Sequence, residues 1–166
     1  MHNADLRALA EGLIAVTLQV GAVQLAHRHA GVTAERKVDE SPVTIADRES
    51  GELILAALAT LAPGVPVVAE ESVAADRIPT LGDTFFLVDP LDGTKGYVRG
   101  GDEFTINVAL IVDTHPVFGL IYAPALSDYY VTTARDEAIA GTIPTTATGR
   151  RLPDLPFAPI RTRAPD

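Results

Sequence analysis

The 166-residue chain contains no cysteine and no tryptophan, a single methionine, and few aromatics, with five phenylalanines and four tyrosines. Without cysteine there are no disulfides, no thiolate zinc sites and no cysteine nucleophile, so any metal must sit on oxygen or imidazole. Positive charge is also scarce: 13 Lys and Arg against 22 Asp and Glu give a net charge of -9. Such a surface repels a phosphate backbone and carries no basic stripe, which excludes DNA and RNA as partners. Long hydrophobic runs are missing too. The most apolar stretch, Leu6 to Leu25, is broken by Arg7, Glu11, Gln19 and Gln24, follows an acidic Asp5, and has neither a basic leader nor a convincing cleavage site. It reads as an amphipathic core helix of a cytoplasmic protein with no transmembrane segment.

What is present is the composition of a globular domain: 47% apolar and 21% charged residues, with 12 prolines as punctuation. The length suits one fold unit. Leu6, Leu9, Leu13, Val16, Val20, Val23 and Ala26 recur at intervals of three and four, which predicts a helix over about 4–29. After a polar stretch with a Ser41-Pro42 turn signal, Thr44 and Asp47 form a T-x-x-D capping box that opens a second helix over 45–61. Val65 to Ala69 and Thr84 to Val88 are short, β-branched and followed by acids, as buried strands ending in a polar loop would be. Phe104 to Val112, Val117 to Tyr122 and Tyr129 to Thr133 predict an antiparallel meander. The sum is an α+β fold, two helices packed on a mainly antiparallel sheet. Residues 1–140 make up the domain, and 141–166, where Thr, Pro, Arg and Ala alternate without a period, read as a linker.

Chemistry concentrates in Asp89-Pro90-Leu91-Asp92-Gly93-Thr94. Two carboxylates stand three residues apart at a strand end, Pro90 restrains the backbone between them, and Gly93 permits a tight turn. Carboxylates so placed converge on a hard cation. A helix opening at Gly93-Thr94-Lys95 would aim backbone N–H groups at a phosphate in the same pocket. Upstream, Glu70 and Glu71 end the neighbouring strand, and four acids without counter-charges are costly unless cations bind. Each pair alone is ordinary loop chemistry, and Asp47 alone is explained by its cap; the combination points to a site. The D-x-D-G-T pattern of aspartyl-phosphate phosphatases has one residue between its acids where this chain has two, which disfavours a phosphorylated aspartate.

Other features carry less. His27 and His29 are two apart on a helix and face different ways, His115 falls in a hairpin turn, and His2 lies at the terminus. Neither a G-x-G-x-x-G nor a P-loop pattern is present. Arg150, Arg151, Arg161 and Arg163 make a mildly basic tail that reads as solvated linker. Lys95 is a phosphate-side candidate and equally a surface residue.

The Asp89 to Thr94 motif and Glu70-Glu71-Ser72 resemble the two signatures of the lithium-sensitive, magnesium-dependent phosphatases that include inositol monophosphatases and fructose bisphosphatases. Lys37 to Thr44 with Ala46-Asp47, the D-G-T-K continuation to Lys95, and Glu103 to Ile111 are similar to the CysQ-type 3'(2'),5'-bisphosphate nucleotidases. The resemblance runs from about residue 5 to the end, loosely after Ala134.

This resemblance implies two or more Mg2+ ions: Glu70, Asp89 and the Leu91 carbonyl hold one, and Asp89 and Asp92 contribute to another. It implies that Thr94, paired with Asp47, orients and deprotonates the attacking water. The Gly93 and Thr94 amides hold the phosphate, with Lys95 beside it, and Glu71 accepts a hydrogen bond from water on the metal. The implied substrate is a small phosphorylated nucleotide, adenosine 3',5'-bisphosphate or its phosphosulfate analogue, losing its 3'-phosphate. Inositol-phosphate or sugar-phosphate hydrolysis is the alternative within the enzyme class. Family members also carry a second α/β domain with a W-D-x-A-A motif, absent from this tryptophan-free chain. By that measure the chain is the N-terminal half, its linker leading to a missing C-terminal domain or its exposed face to a homo-oligomer. A catalytically incomplete, metal-binding remnant is the non-enzymatic alternative. The family also allows peripheral association with the cytoplasmic face of the inner membrane.

Overall fold

Residues 3–31, 34–36, 42–69, 81–147 and 155–161 are described by a computed structural model. Helix α1 (Asn3–Ala30) buries Leu6, Leu9, Leu13, Leu18 and Val20. The expected apolar stripe holds along most of its length and then drifts. Near the C-terminal end Gln24 is fully buried while Ala26 is exposed. By length and composition α1 could cross a bilayer, but half of that apolar window is buried inside this fold.

A hairpin of β1 (Ala34–Arg36) and β2 (Pro42–Thr44) precedes α2 (Ile45–Leu61). These three-residue strands are too short to show alternation in the sequence. The α2 cap is the expected one: Thr44 is extended, its hydroxyl accepts from Asp47 N at 3.3 Å, and the Asp47 carboxylate receives Thr44 N at 2.7 Å.

The remaining strands are β3 (Val67–Ala69), β4 (Thr84–Asp92), β5 (Thr105–Val112), β6 (His115–Ala123), β7 (Asp128–Ala134), β8 (Glu137–Thr142) and β9 (Phe157–Ile160). They form one seven-stranded sheet in sequence order, with β3 parallel to β4 and every later neighbour antiparallel. A short helix, α3 (Thr94–Val98), follows β4, and a 3-10 turn spans Thr145–Ala147. The two-residue β5–β6 turn, Asp113 and Thr114, has positive φ at both positions, the geometry that matches strand twist in tight hairpins. The α+β architecture is therefore as expected. The reading of 141–166 as irregular linker needs correcting in its local structure. Gly141 and Thr142 complete β8, and Phe157 to Ile160 pair with it from Gly141 to Ala138. Pro159 is tolerated there because β9 is the edge of the sheet, where a missing N–H breaks no ladder.

Helices α1 and α2 cover one face of the sheet, burying Phe86, Val88, Ile106, Val108, Leu120 and Tyr129 in a single core. Gly21 lets α1 approach β6 closely, since a Cβ there would stand 2.8 Å from the Tyr122 ring. Alternate residues face the other way, where Leu87, Ile121 and Tyr130 are 42 to 46% exposed. The outer face of the sheet is thus apolar and uncovered among the described residues.

Candidate metal and phosphate site

The site begins with an irregularity in β4. Asp89 pairs with Asn107 and Asp92 with Thr105, so three steps along β4 match two along β5. Acids three apart on a regular strand would point to opposite faces. One extra residue corrects the parity, and both stand opposite residues that share a face. Pro90 and Leu91 fall in the bulge, where the missing N–H of proline costs no ladder bond. Asp89 Oδ1 accepts from Leu91 N at 3.1 Å, and Asp92 Oδ2 accepts from Asn107 Nδ2 at 3.0 Å.

Gly93 then turns the chain with φ 88°, ψ 25°. A Cβ at that position would lie 2.7 Å from the Glu103 carbonyl oxygen, so both conformation and space require glycine. Its carbonyl accepts from Gly96 N and Tyr97 N, which starts α3 at Thr94. The first α3 amides have no acceptor within the helix and are the expected anion donors. The Leu91 side chain is buried with Ala46, Tyr97 and Phe104 in a small core beneath the turn. Tyr97 and Phe104 meet edge to face at 4.9 Å.

The capping residue of α2 reaches the same turn. Asp47 is 2% exposed; its Oδ2 takes both Thr44 N and the Thr44 hydroxyl, the latter at 2.6 Å. Its Oδ1 lies 3.5 Å from Thr94 Oγ1, whose shorter contact is to the Leu91 carbonyl at 2.9 Å. A hydroxyl has one hydrogen, so the Leu91 carbonyl holds it and Asp47 stands at the outer limit of hydrogen bonding. The cap therefore lies on Oδ2, and Oδ1 faces Thr94 Oγ1 across 3.5 Å. Burial and the Asp47 charge push the Tyr97 hydroxyl up to about 12, with Arg28 acting in the opposite direction.

The turn thus brings together Asp47, Asp89, Leu91, Asp92, Gly93 and Thr94. Lys95 is exposed on α3. Glu70 and Glu71 lie outside the described residues, and among those described no three His, Asp or Glu side chains form a metal-holding group. The donor chemistry still fits a hard divalent ion, being two carboxylates and a carbonyl. The Asn107 side-chain oxygen adds to this, since it is buried next to Asp92 without a hydrogen-bond partner among the described residues. His27 bonds Glu49 at 2.8 Å and His115 bonds the Asp113 carbonyl, both away from the turn.

The family model for the inositol monophosphatase family matches residues 5–154. The chain belongs to that family. Among its members, the 3'(2'),5'-bisphosphate nucleotidase CysQ of Salmonella typhimurium strain LT2 is 46% identical over 95 residues, 57% of this chain and 39% of the relative. CysQ of Escherichia coli K12 is 43% identical over 94 residues, 57% of this chain and 38% of the relative. In structure, CysQ of Bacteroides thetaiotaomicron superposes with a TM-score of 0.64 at 28% identity, covering 96% of this chain and 60% of that one. The Thermotoga maritima IMPase gives 0.64 at 27% identity, covering 81% and 48%. The chain spans about two fifths of the length of the curated relatives it matches.

Three contributors escaped the sequence reading. Gln24 had a signal, a polar residue inside an apolar helical run. Asn107 had a weaker one, the polar member of an alternating strand. Arg28 had none: it closes the far side of the turn by bonding the Gly101 carbonyl at 2.9 Å and Asp102 at 2.8 Å, 5.4 Å from the centre of the Phe104 ring.

Proposed function

We propose that this chain is the metal- and phosphate-binding half of a Mg2+-dependent phosphomonoesterase that removes the 3'-phosphate of adenosine 3',5'-bisphosphate. The observation that carries the reading is the bulge that turns Asp89 and Asp92 to one side, directly before a left-handed Gly93 and a helix start. Similarity to the CysQ nucleotidases supports the substrate class. It favours a nucleotide over the inositol- and sugar-phosphate alternatives.

Asp89, Asp92 and the Leu91 carbonyl would hold the metal, with Glu70 completing the set and Glu71 behind it. Bound there, Mg2+ supplies charge neutralisation and acidification of water for in-line displacement. The chain's own residues do the rest. The Gly93 and Thr94 amides hold a phosphate oxygen, and Lys95 adds a positive charge on the solvent side. Thr94 Oγ1 takes the proton of the attacking water while passing its own to Asp47 Oδ1. That relay requires the hydroxyl hydrogen to leave the Leu91 carbonyl for the carboxylate 3.5 Å away, a single rotation of the hydroxyl. In a cytoplasmic full-length protein the apolar outer face would be covered by a second domain.

A second reading is favoured by the Thr94 hydroxyl, which is held by the Leu91 carbonyl rather than by Asp47: a cation-binding module that does not turn over substrate unaided. Phosphate release with Mg2+ from adenosine 3',5'-bisphosphate and from inositol 1-phosphate, compared with Asp89→Asn, separates the readings. Release from the nucleotide that Asp89→Asn lowers at least ~100-fold upholds the nucleotidase. Release from inositol phosphate alone overturns its substrate. Absence of both from a folded chain establishes the incomplete module.

A further inference from the structure

We propose that Gln24 is a positioning residue for the metal-binding turn, acting through the Pro90–Leu91 peptide; the proposal rests on the metal reading above. Gln24 is fully buried in α1, more than sixty positions before the motif it serves. Its Nε2 spends both hydrogens, one on the Pro90 carbonyl at 2.8 Å and one on Ser50 Oγ at 3.1 Å. Its backbone carbonyl also accepts the Tyr97 hydroxyl at 2.6 Å. One residue therefore links α1 to α2, to the bulge of β4 and to α3.

The Pro90 carbonyl can only accept, so the amide nitrogen must face it. That choice leaves Gln24 Oε1 buried and without a partner among the described residues. A buried oxygen with no donor is destabilising, and a methionine would fill the same volume without it. Packing alone does not account for an amide here.

What the amide provides is orientation. Pro90 and Leu91 lie in the bulge, where the β4–β5 ladder does not fix them. The Pro90 carbonyl and the Leu91 N–H belong to one planar peptide unit. Gln24 holds the carbonyl end of that plane from the helix layer, and the Leu91 N–H end points to Asp89 Oδ1 at 3.1 Å. Fixing the plane fixes the N–H offered to the Asp89 carboxylate. The same plane sets where the Leu91 carbonyl and Thr94 begin. Without Gln24 that plane loses its carbonyl anchor, and the N–H it offers to Asp89 Oδ1 moves with it.

The test uses Mn2+ as the probe, titrated calorimetrically into the intact chain, with melting temperature measured in chelator as an independent readout. The control is Thr17→Val, which breaks a buried hydroxyl pair in the same helix, far from the turn. Gln24→Met is expected to raise the Mn2+ Kd at least tenfold and to speed amide exchange at Leu91 about tenfold. Thr17→Val is expected to lower the melting temperature comparably and leave Kd within twofold. Equal Kd shifts in the two variants, or a native Kd in folded Gln24→Met, overturn the proposal. If Gln24→Met does not fold, Ser50→Ala replaces it, since it frees one of the amide's two anchors. A threefold weaker Kd is then expected, and an unchanged one overturns the proposal. Asp89→Asn tells the two failures apart. If it binds Mn2+ as the native chain does, the metal reading falls and Gln24 with it. If it loses the ion while Gln24→Met keeps it, only the Gln24 proposal falls.

Discussion

Two buried polar clusters lie along α1, and they are built on opposite terms. Around its middle, Thr17 Oγ1 donates to the Leu13 carbonyl at 2.8 Å and meets the Tyr129 hydroxyl at 2.5 Å. Nearby, Tyr122 donates to the Ile143 carbonyl at 2.9 Å, its ring 4.8 Å from that of Tyr129. Every hydroxyl there has a partner. At the C-terminal end of the helix, a second cluster joins Gln24 to Ser50 and the Pro90 carbonyl, with Asp47 facing Thr94 beside it; Gln24 Oε1 there, and Asn107 Oδ1 across the sheet next to Asp92, are the two buried side-chain atoms without partners among the described residues. The first cluster is closed and serves the fold. The second holds acceptors in reserve around a bulged strand and a left-handed glycine, and cost of that kind is tolerated where a ligand is to be bound.

The contrast is broken most directly at Gly93. Gly93→Ala must place a Cβ 2.7 Å from the Glu103 carbonyl at φ 88°, so the expected loss is about 3 kcal/mol of unfolding free energy. Urea unfolding measures the stability and Mn2+ titration the site; both should suffer together. A stable Gly93→Ala that still binds would show that the turn is not under constraint.

The hydroxyl cluster should respond differently to each of its members. In Thr17→Val the Tyr129 hydroxyl is left buried with no acceptor, at a cost of about 2 kcal/mol. In Tyr129→Phe the Thr17 hydroxyl keeps its bond to the Leu13 carbonyl, and the loss is about 1 kcal/mol. Neither should alter metal affinity. The reverse order in urea unfolding would mean that Tyr129, rather than Thr17, holds the structurally essential oxygen.

The sequence made the scaffold legible where local chemistry decides it. The T-x-x-D box placed the start of α2 at Ile45, and short β-branched and aromatic runs bounded by turn residues located β4 to β7, because caps and turn signals act within a few residues. The acids and the turn were legible for the same reason. The bulge was not, since it exists only in the register of β4 against β5. Gln24 was visible as an oddity, but its partners Ser50 and Pro90 are 26 and 66 positions away, and no local pattern announces them. Strand β9 was lost because four residues containing Pro159 make a strand only by having β8 beside them. Long-range pairing, in short, decided what the sequence concealed.

A smaller effect is expected at the α2 cap. Thr44→Ala removes the hydroxyl that bonds Asp47 Oδ2 while leaving the Thr44 N–H contact, and should cost about 1 kcal/mol. Thr44→Ser, which keeps the oxygen, should restore most of it. If the cap and the site are coupled as the shared carboxylate suggests, Thr44→Ala will also weaken Mn2+ binding. A stability loss with unchanged binding would separate the two roles of Asp47.

The smallest effect is silent at neutral pH. Tyr97 belongs to the site cluster, and burial, with the Asp47 charge, pushes its hydroxyl from the ordinary 10 up to about 12. Burial raises Tyr122 and Tyr129 in the closed cluster as well. In each case the fold prefers the neutral phenol, so the folded chain keeps its proton over a range where the unfolded chain has released it. The stability this represents is fully present below pH 10 and, for Tyr97, is lost as pH rises through 12. Tyr97→Phe should therefore flatten the decline of unfolding free energy between pH 10 and 12 without changing it at neutrality beyond the lost bond to the Gln24 carbonyl. A slope in Tyr97→Phe equal to the native one would assign the alkaline sensitivity to the closed cluster, and would mean that neither burial nor the Asp47 charge raises the Tyr97 phenol.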